Sequence, residues 1–353
     1  MKKGIILLLI ILLMSGCYDY VEIDDLVIIS GMVIDYKDNK YEISSQIIEN
    51  EAKTKVKVYT TTCNTIDECI FKLSKLSNKD IFISHLKVLI LTENTINNKK
   101  DYYDYFLRDT KSKMNFFVYY ADSKYAKDIL NIYKEDNGSA LYIKDLMTFN
   151  NKIFSSSSPL SFLDLMFKIK EPGIDPIYPN IVIQNNNEEK VLYLKNLIAF
   201  DNNGKKIILN ENNGIMYNIL TNKLYKTVID IPCDNKNFSI VIDNSNTKYN
   251  LNKNTIYLTV KTKSKISSYS CKYDLDNPKN IDKLSNLANK YLKKEINKLI
   301  DIQDNNDIDF LGLGLYIYKH NKKMFESNEK YKTIVNVDTT INSIGEIRWK
   351  KKR

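Results

Sequence analysis

The chain has 353 residues, 43% of them hydrophobic and 27% charged, with a formal net charge of +9. That is enough apolar material for a substantial core and too much for a disordered chain, and the length allows one large domain or two to three small ones. The positive excess is spread along the chain, apart from a small cluster at Lys350, Lys351, Lys352 and Arg353, and no recognition motif accompanies it. A nucleic-acid partner is therefore not expected, whereas a diffuse excess suits a protein held near anionic headgroups.

Residues 1–16 read as a signal peptide. Lys2 and Lys3 precede an unbroken apolar run, Ile5 to Met14, which is half of the about 20 residues needed to cross a bilayer and has the length of a secretory h-region. Ser15 and Gly16 follow, and then Cys17. Small-small-Cys at the end of an h-region is a lipobox, with Met14 where Leu is usual. Cleavage before Cys17 would leave a thioether-linked diacylglyceryl group on the new N-terminus. Two acyl chains anchor stably where one holds only marginally. The plainer alternative is an ordinary cleaved leader that leaves Cys17 as a mature thiol. Loss of Lys2 and Lys3 would lower the formal charge from +9 to +7. Residues 17–25 form the expected tether.

Beyond the tether, Leu26 to Ile34 and Lys40 to Ile48 read as strands joined at Asp38-Asn39 in a hairpin. Thr65-x-x-Glu68 is a capping box opening a helix whose Ile66, Cys69, Ile70, Leu73 and Leu76 share a face. Ile81 to Leu91 reads as one strand, the segment with Tyr102, Tyr103, Phe106 and Leu107 as a helix, Asn115 to Ala121 as a strand, and the segment with Ala126, Ile129, Leu130 and Tyr133 as a helix. FSSSSPLSFLDL is a loop entering a helix. The three prolines of PGIDPIYPN, residues 172–180, exclude a helix interior and mark the exit from a first domain. Strands are expected at 180–184 and 190–200, followed by a turn at 201–204 that leads to Lys205–Asn210, and strand-rich chain over 223–275. Ile281 to Ile302 carries the apolar stripe Leu284, Leu287, Ala288, Tyr291, Leu292, Ile296 and Leu299, with lysines on the other face. A short helix near 310–319 and a strand over 331–337 follow. This mixture predicts an α+β or mixed α/β, multi-domain fold of mixed sheets flanked by helices. The expected division is an N-terminal domain over 26–190 and a C-terminal region over 191–353, the latter with room for two subdomains.

The residues offer little chemistry. His85 falls in a strand pattern and His320 at a helix end, and no His-x-x-x-His, Cys-x-x-Cys, phosphate-binding Gly loop or Gly-x-Ser-x-Gly occurs. Gly312-Leu313-Gly314 lacks the third glycine of a dinucleotide fingerprint, and Asp24-Asp25 and Asp307/Asp309 read as surface charge. No catalytic residue, metal site or cofactor is expected. Besides Cys17 there are Cys63, Cys69, Cys233 and Cys271. A disulfide is possible outside the membrane, but plain buried thiols are the expectation.

The order of several short segments resembles the Ger(x)C family, the C-subunit lipoproteins of bacterial spore germinant receptors. Cys17-Tyr18-Asp19, Glu22-Ile23 and LVIISGMVID with Gly31, Ile34 and Asp35 resemble its mature start, with Tyr18 in place of the usual Trp. SHLKVLIL from Ser84, the Arg108-Asp109 segment with Ala126-Lys127, SPLSFL, GIDPIYP, DFLGLGLYIYKH and VNVDTTINSIGEI resemble later family segments in the same order. The resemblance implies mixed α/β domains, usually counted as three, and no enzymatic activity. It also implies an anchor on the outer face of the spore inner membrane and work with membrane subunits A and B in sensing nutrients. A solute-binding lipoprotein of a transporter and a cell-surface hydrolase are the competing readings.

Overall fold

The computed structural model describes residues 26–49, 55–98, 102–109, 112–133, 138–187 and 189–343. Cys17, the tether and the Gly345 turn lie outside them. The first strands are β1 (Leu26–Lys37), β2 (Lys40–Glu49) and β3 (Lys55–Cys63). The turn between β1 and β2 places both Asp38 and Asn39 at positive φ, the conformation that such two-residue hairpins require. Helix α1 (Ile66–Ser77) starts at Thr65, whose hydroxyl accepts the Glu68 amide, while the Glu68 carboxylate takes the Asn64 amide. Ile66, Cys69 and Leu73 of the expected stripe are buried and Ile70 is half-buried, but Leu76, near the end of the helix, is exposed.

The apolar run 81–91 is not one strand. It divides into β4 (Asp80–Phe82) and β5 (Val88–Leu91) around a turn in which the Leu86 amide reaches the Ile83 carbonyl. The reason lies in β1. Its register breaks between Ile29 and Gly31, so β4 pairs with Leu26–Ile28 and β5 with Gly31–Ile34. The Lys87 amide bonds the Ser30 carbonyl at that break. His85 therefore sits in an exposed turn.

Next come α2 (Glu93–Asn97), α3 (Tyr102–Arg108), β6 (Phe117–Tyr120), α4 (Ala126–Ile129), α5 (Gly138–Ile153) and α6 (Phe162–Lys170). Strands β7 (Ile177–Asn186), β8 (Glu189–Phe200) and β9 (Lys206–Leu209) complete the first sheet, ordered β3-β2-β1-β5-β6-β7-β8-β9 with β4 beside β1. Neighbours β1, β5, β6 and β7 run parallel, and the flanking pairs are antiparallel. Central parallel strands must bury both faces. Accordingly Ile34, Leu89 and Val118 face a core with α1, α3 and α6, and Val33, Ile90 and Tyr119 face another with α4 and α5.

The second half holds α7 (Glu211–Leu220), β10 (Thr227–Cys233), β11 (Lys236–Asn252), β12 (Thr255–Tyr269), α8 (Pro278–Asn306), α9 (Leu313–His320), α10 (Lys322–Glu326) and β13 (Lys332–Ser343). The sheet is ordered β10-β11-β12-β13, and its last pair is parallel. Helix α8 is the expected long amphipathic helix, extended by Pro278 at its first turn under an Asn277 cap. It buries Leu284, Ala288, Leu292, Ile296 and Leu299 in the second core, with Ile240, Leu258 and Val335 of the sheet.

A boundary at 190/191 falls inside β8, which with β9 belongs to the first sheet. Ile177, Leu197, Ala199 and Leu209 of that sheet sit in the core of the second. The two halves therefore share buried surface. The cysteines differ from expectation as well. Cys63 pairs with Cys69, and Cys233 with Cys271, at Cα separations of 5.4 and 6.0 Å, inside the range a disulfide spans. Capping at Thr65 turns α1 back so that Cys69 faces the end of β3.

Candidate functional site

The segments singled out in the sequence converge at two places. One is the joint between the halves, where Gly173-Ile174-Asp175 meets Asp309 to Leu315. The Asp175 amide donates to the Asp309 carbonyl at 2.8 Å, and the Asp309 amide donates to Asp175 Oδ2 at 2.7 Å. The Leu315 amide reaches the Gly173 carbonyl at 2.6 Å. Backbones approach this closely only without side chains. A Cβ on Gly173 would lie 2.5 Å from the Gly314 carbonyl carbon, and one on Gly312 would lie 2.8 Å from Ile174 Cδ1. Gly173 and Gly312 also hold φ near +70°, which favours glycine.

Asp309 organises its side of the joint. Oδ1 accepts the Gly312 and Leu313 amides at 2.8 and 3.0 Å, and Oδ2 accepts the Gly314 amide at 2.6 Å. These are the unpaired donors at the start of α9. Burial pushes the Asp309 carboxyl up to about 6, against the pull of those three amides, and the neighbouring Asp175 adds to the rise. Sequence reading took Asp309 for surface charge and Gly312-Leu313-Gly314 for a discarded nucleotide motif. The resemblance groups all three in DFLGLGLYIYKH, and the structure supplies the reason for the Asp-x-x-Gly-x-Gly spacing: one carboxylate caps a glycine-rich helix start.

Further contacts widen the joint. Lys319 of α9 lies 5.2 Å from the Phe167 ring centre on α6. Buried Lys168 donates to the Tyr217 hydroxyl on α7 at 3.0 Å. Burial alone would raise the Tyr217 phenol, but Lys168 and Lys223 more than offset it and hold it below its ordinary value. Asn218 Nδ2 donates to the Ser155 and Ser157 carbonyls at 2.8 and 2.7 Å.

The second place is the end of β1. Asp35 Oδ1 accepts the hydroxyls of Thr92 and Ser123 at 2.5 and 3.2 Å and the Tyr36 amide at 2.9 Å. Ala126 and Lys127 stand in α4, directly after Ser123. The remaining segments stay apart. Arg108 makes a surface ion pair with Asp104 at 2.6 Å, and Asp109 accepts the Tyr105 hydroxyl at 3.1 Å. Ser161 of SPLSFL caps α6. His320 Nδ1 lies 2.8 Å from the Tyr316 carbonyl. Neither constellation includes a histidine or a cysteine, and the hydroxyls at Asp35 serve to hold its carboxylate. Among the described residues there is no cluster of three metal-ligating side chains, and no helix is long and apolar enough to cross a membrane.

Comparison with known proteins gives two family matches in order along the chain. Residues 19–183 match the spore germination protein N-terminal domain, and residues 196–348 match the spore germination B3/GerAC-like C-terminal domain. Spore germination protein KC of Bacillus subtilis (strain 168) is 23% identical, over 92% of this chain and 88% of its own length. Spore germination protein GerQC of Bacillus cereus is 21% identical, over 94% and 95%. The crystal structure of the GerBC protein superposes with a TM-score of 0.55 at 14% identity, covering 88% of this chain and 96% of that one.

Proposed function

The chain belongs to the Ger(x)C, or GerAC-like, family of spore germination proteins and is not an enzyme; from that premise we propose that it is the lipid-anchored C subunit of a nutrient germinant receptor. Cys17 carries the diacylglyceryl anchor. The folded part stands on the outer face of the spore inner membrane and works by assembling with the A and B membrane subunits. The observation that carries this reading is positional. A lipobox cysteine immediately precedes a chain matched in order by both family domains, from residue 19 to residue 348.

A protein that acts by contact must pass any signal between its halves without hinging freely. The joint at Asp175 and Asp309, closed by backbone hydrogen bonds and glycine contacts, supports that role. The anchor is tested by membrane fractionation of Cys17→Ala. The variant is expected in the soluble fraction after a carbonate wash, and full retention in the membrane would contradict the assignment. Assembly is tested by purification through a tagged A subunit. Recovery of this chain with A and B is expected, and its absence from the purified complex would count against a receptor subunit.

A further inference from the structure

Strand order in the first sheet turns back at β1. The chain leaves it on one side through β2 and β3, then crosses by α1 and β4 to β5 and β6 on the other. In open α/β sheets ligands bind outside the carboxyl ends of the parallel strands, and here parallel β1, β5 and β6 end on one side of the sheet, where β1 turns back through its hairpin. A cleft of about 700 Å³ opens at that place, lined from the first hairpin, the start of α2 and the loop after β6, within the size range of small-molecule sites.

Its lining carries both signs of charge in different states. Asp35 is held by donors from three segments, all on Oδ1, and Oδ2 has no donor among the described residues. Lys37, Lys40, Lys124 and Lys127 line the same cleft. None of the four makes an ion pair among the described residues, although Asp38 and Glu42 share the lining. The cleft thus joins one oriented carboxylate with an open oxygen to ammonium groups that no described residue pairs. We infer that this cleft binds a small zwitterion, its ammonium on Asp35 Oδ2 and its carboxylate between Lys124 and Lys127. Both contacts would be charge-assisted hydrogen bonds, the stronger kind. The site lies within one sheet, away from the joint, and its test is independent of the receptor assignment.

The experiment is saturation-transfer NMR on the full-length chain in detergent. The probe is a pool of free L-amino acids, run beside the N-acetylated pool, which lacks the ammonium, and the carboxamide pool, which lacks the carboxylate. Signal is expected from the free pool alone. Asp35→Asn, which keeps an acceptor for Thr92 and Ser123, and the exposed pair Lys124→Gln/Lys127→Gln should each weaken binding about tenfold or more. Circular dichroism checks the fold. If Asp35→Asn disturbs β1, the lysine pair carries the result. No signal from the free pool at about 10 mM would overturn the inference. So would binding undiminished by the lysine pair, or equal binding of the N-acetylated pool, which would mark a plain anion site.

Discussion

Asp309 carries a cost that depends on pH. Its folded value is raised, to about 6 from the ordinary 3.8, so the folded protein binds its proton more tightly than the unfolded chain does. The associated stability is fully present below about pH 4 and is lost as pH rises through about 6. Asp309→Asn, neutral throughout, lacks this slope. Relative to that variant, the native chain should lose on the order of 2 kcal/mol between pH 4 and 7 in denaturant titrations. A constant difference across that range would show that the three amide donors outweigh burial. Asp309→Ala strands those donors and should cost about 2–4 kcal/mol at any pH. Gly214 is a second sensitive position, because a Cβ there would collide with the Ser156 carbonyl oxygen. Gly214→Ala should destabilise by about 3 kcal/mol in the same assay, and a change within about 0.5 kcal/mol would mean that the loop carrying Ser156 approaches α7 less tightly than the contacts imply.

Among the elements, those with a single apolar face were legible in the sequence. The hairpin turn at Asp38-Asn39, the capped α1 and the stripe of α8 all stand where residue pattern alone put them. The missed elements lack that contrast. Helix α5 buries Ala140, Ile143 and Met147 yet exposes Tyr142, Phe149 and Ile153, so apolar residues occur on both sides and no stripe emerges. Helix α7 begins Glu-Asn-Asn-Gly, a poor helix-forming start, and is held by an Asn210–Asn213 capping box and by buried Asn218. Strand β3 reads as alternating Lys, Val and Thr without a strong apolar face. Both disulfides depend on tertiary approach, which spacing does not reveal. The Cys233–Cys271 bridge closes a separation of 38 residues and should contribute about 3–4 kcal/mol by restricting the unfolded chain. Cys233→Ala/Cys271→Ala should lower denaturant stability by that amount, and an unchanged midpoint would mean that the thiols are not joined in the folded protein.

At the scale of the molecule, two sheets share a core through β7, β8 and β9, and a glycine-rich joint fixes one half on the other. Family membership was legible because its short segments keep their order; the reason for that order became visible only in the fold. GIDP and DFLGLG lie 134 residues apart at the Asp175–Asp309 contact, a pairing that no local pattern signals. The proposed function rests on an assembly rather than on a reacting group, and the decisive measurement is made on spores. Spores lacking this chain would be followed by loss of optical density, first after adding nutrients and then after calcium dipicolinate, which bypasses receptors. The account predicts failure with the receptor's own nutrients, a normal response to the bypass, and rescue by the intact chain. Normal germination with every nutrient to which the parent spores respond would contradict it.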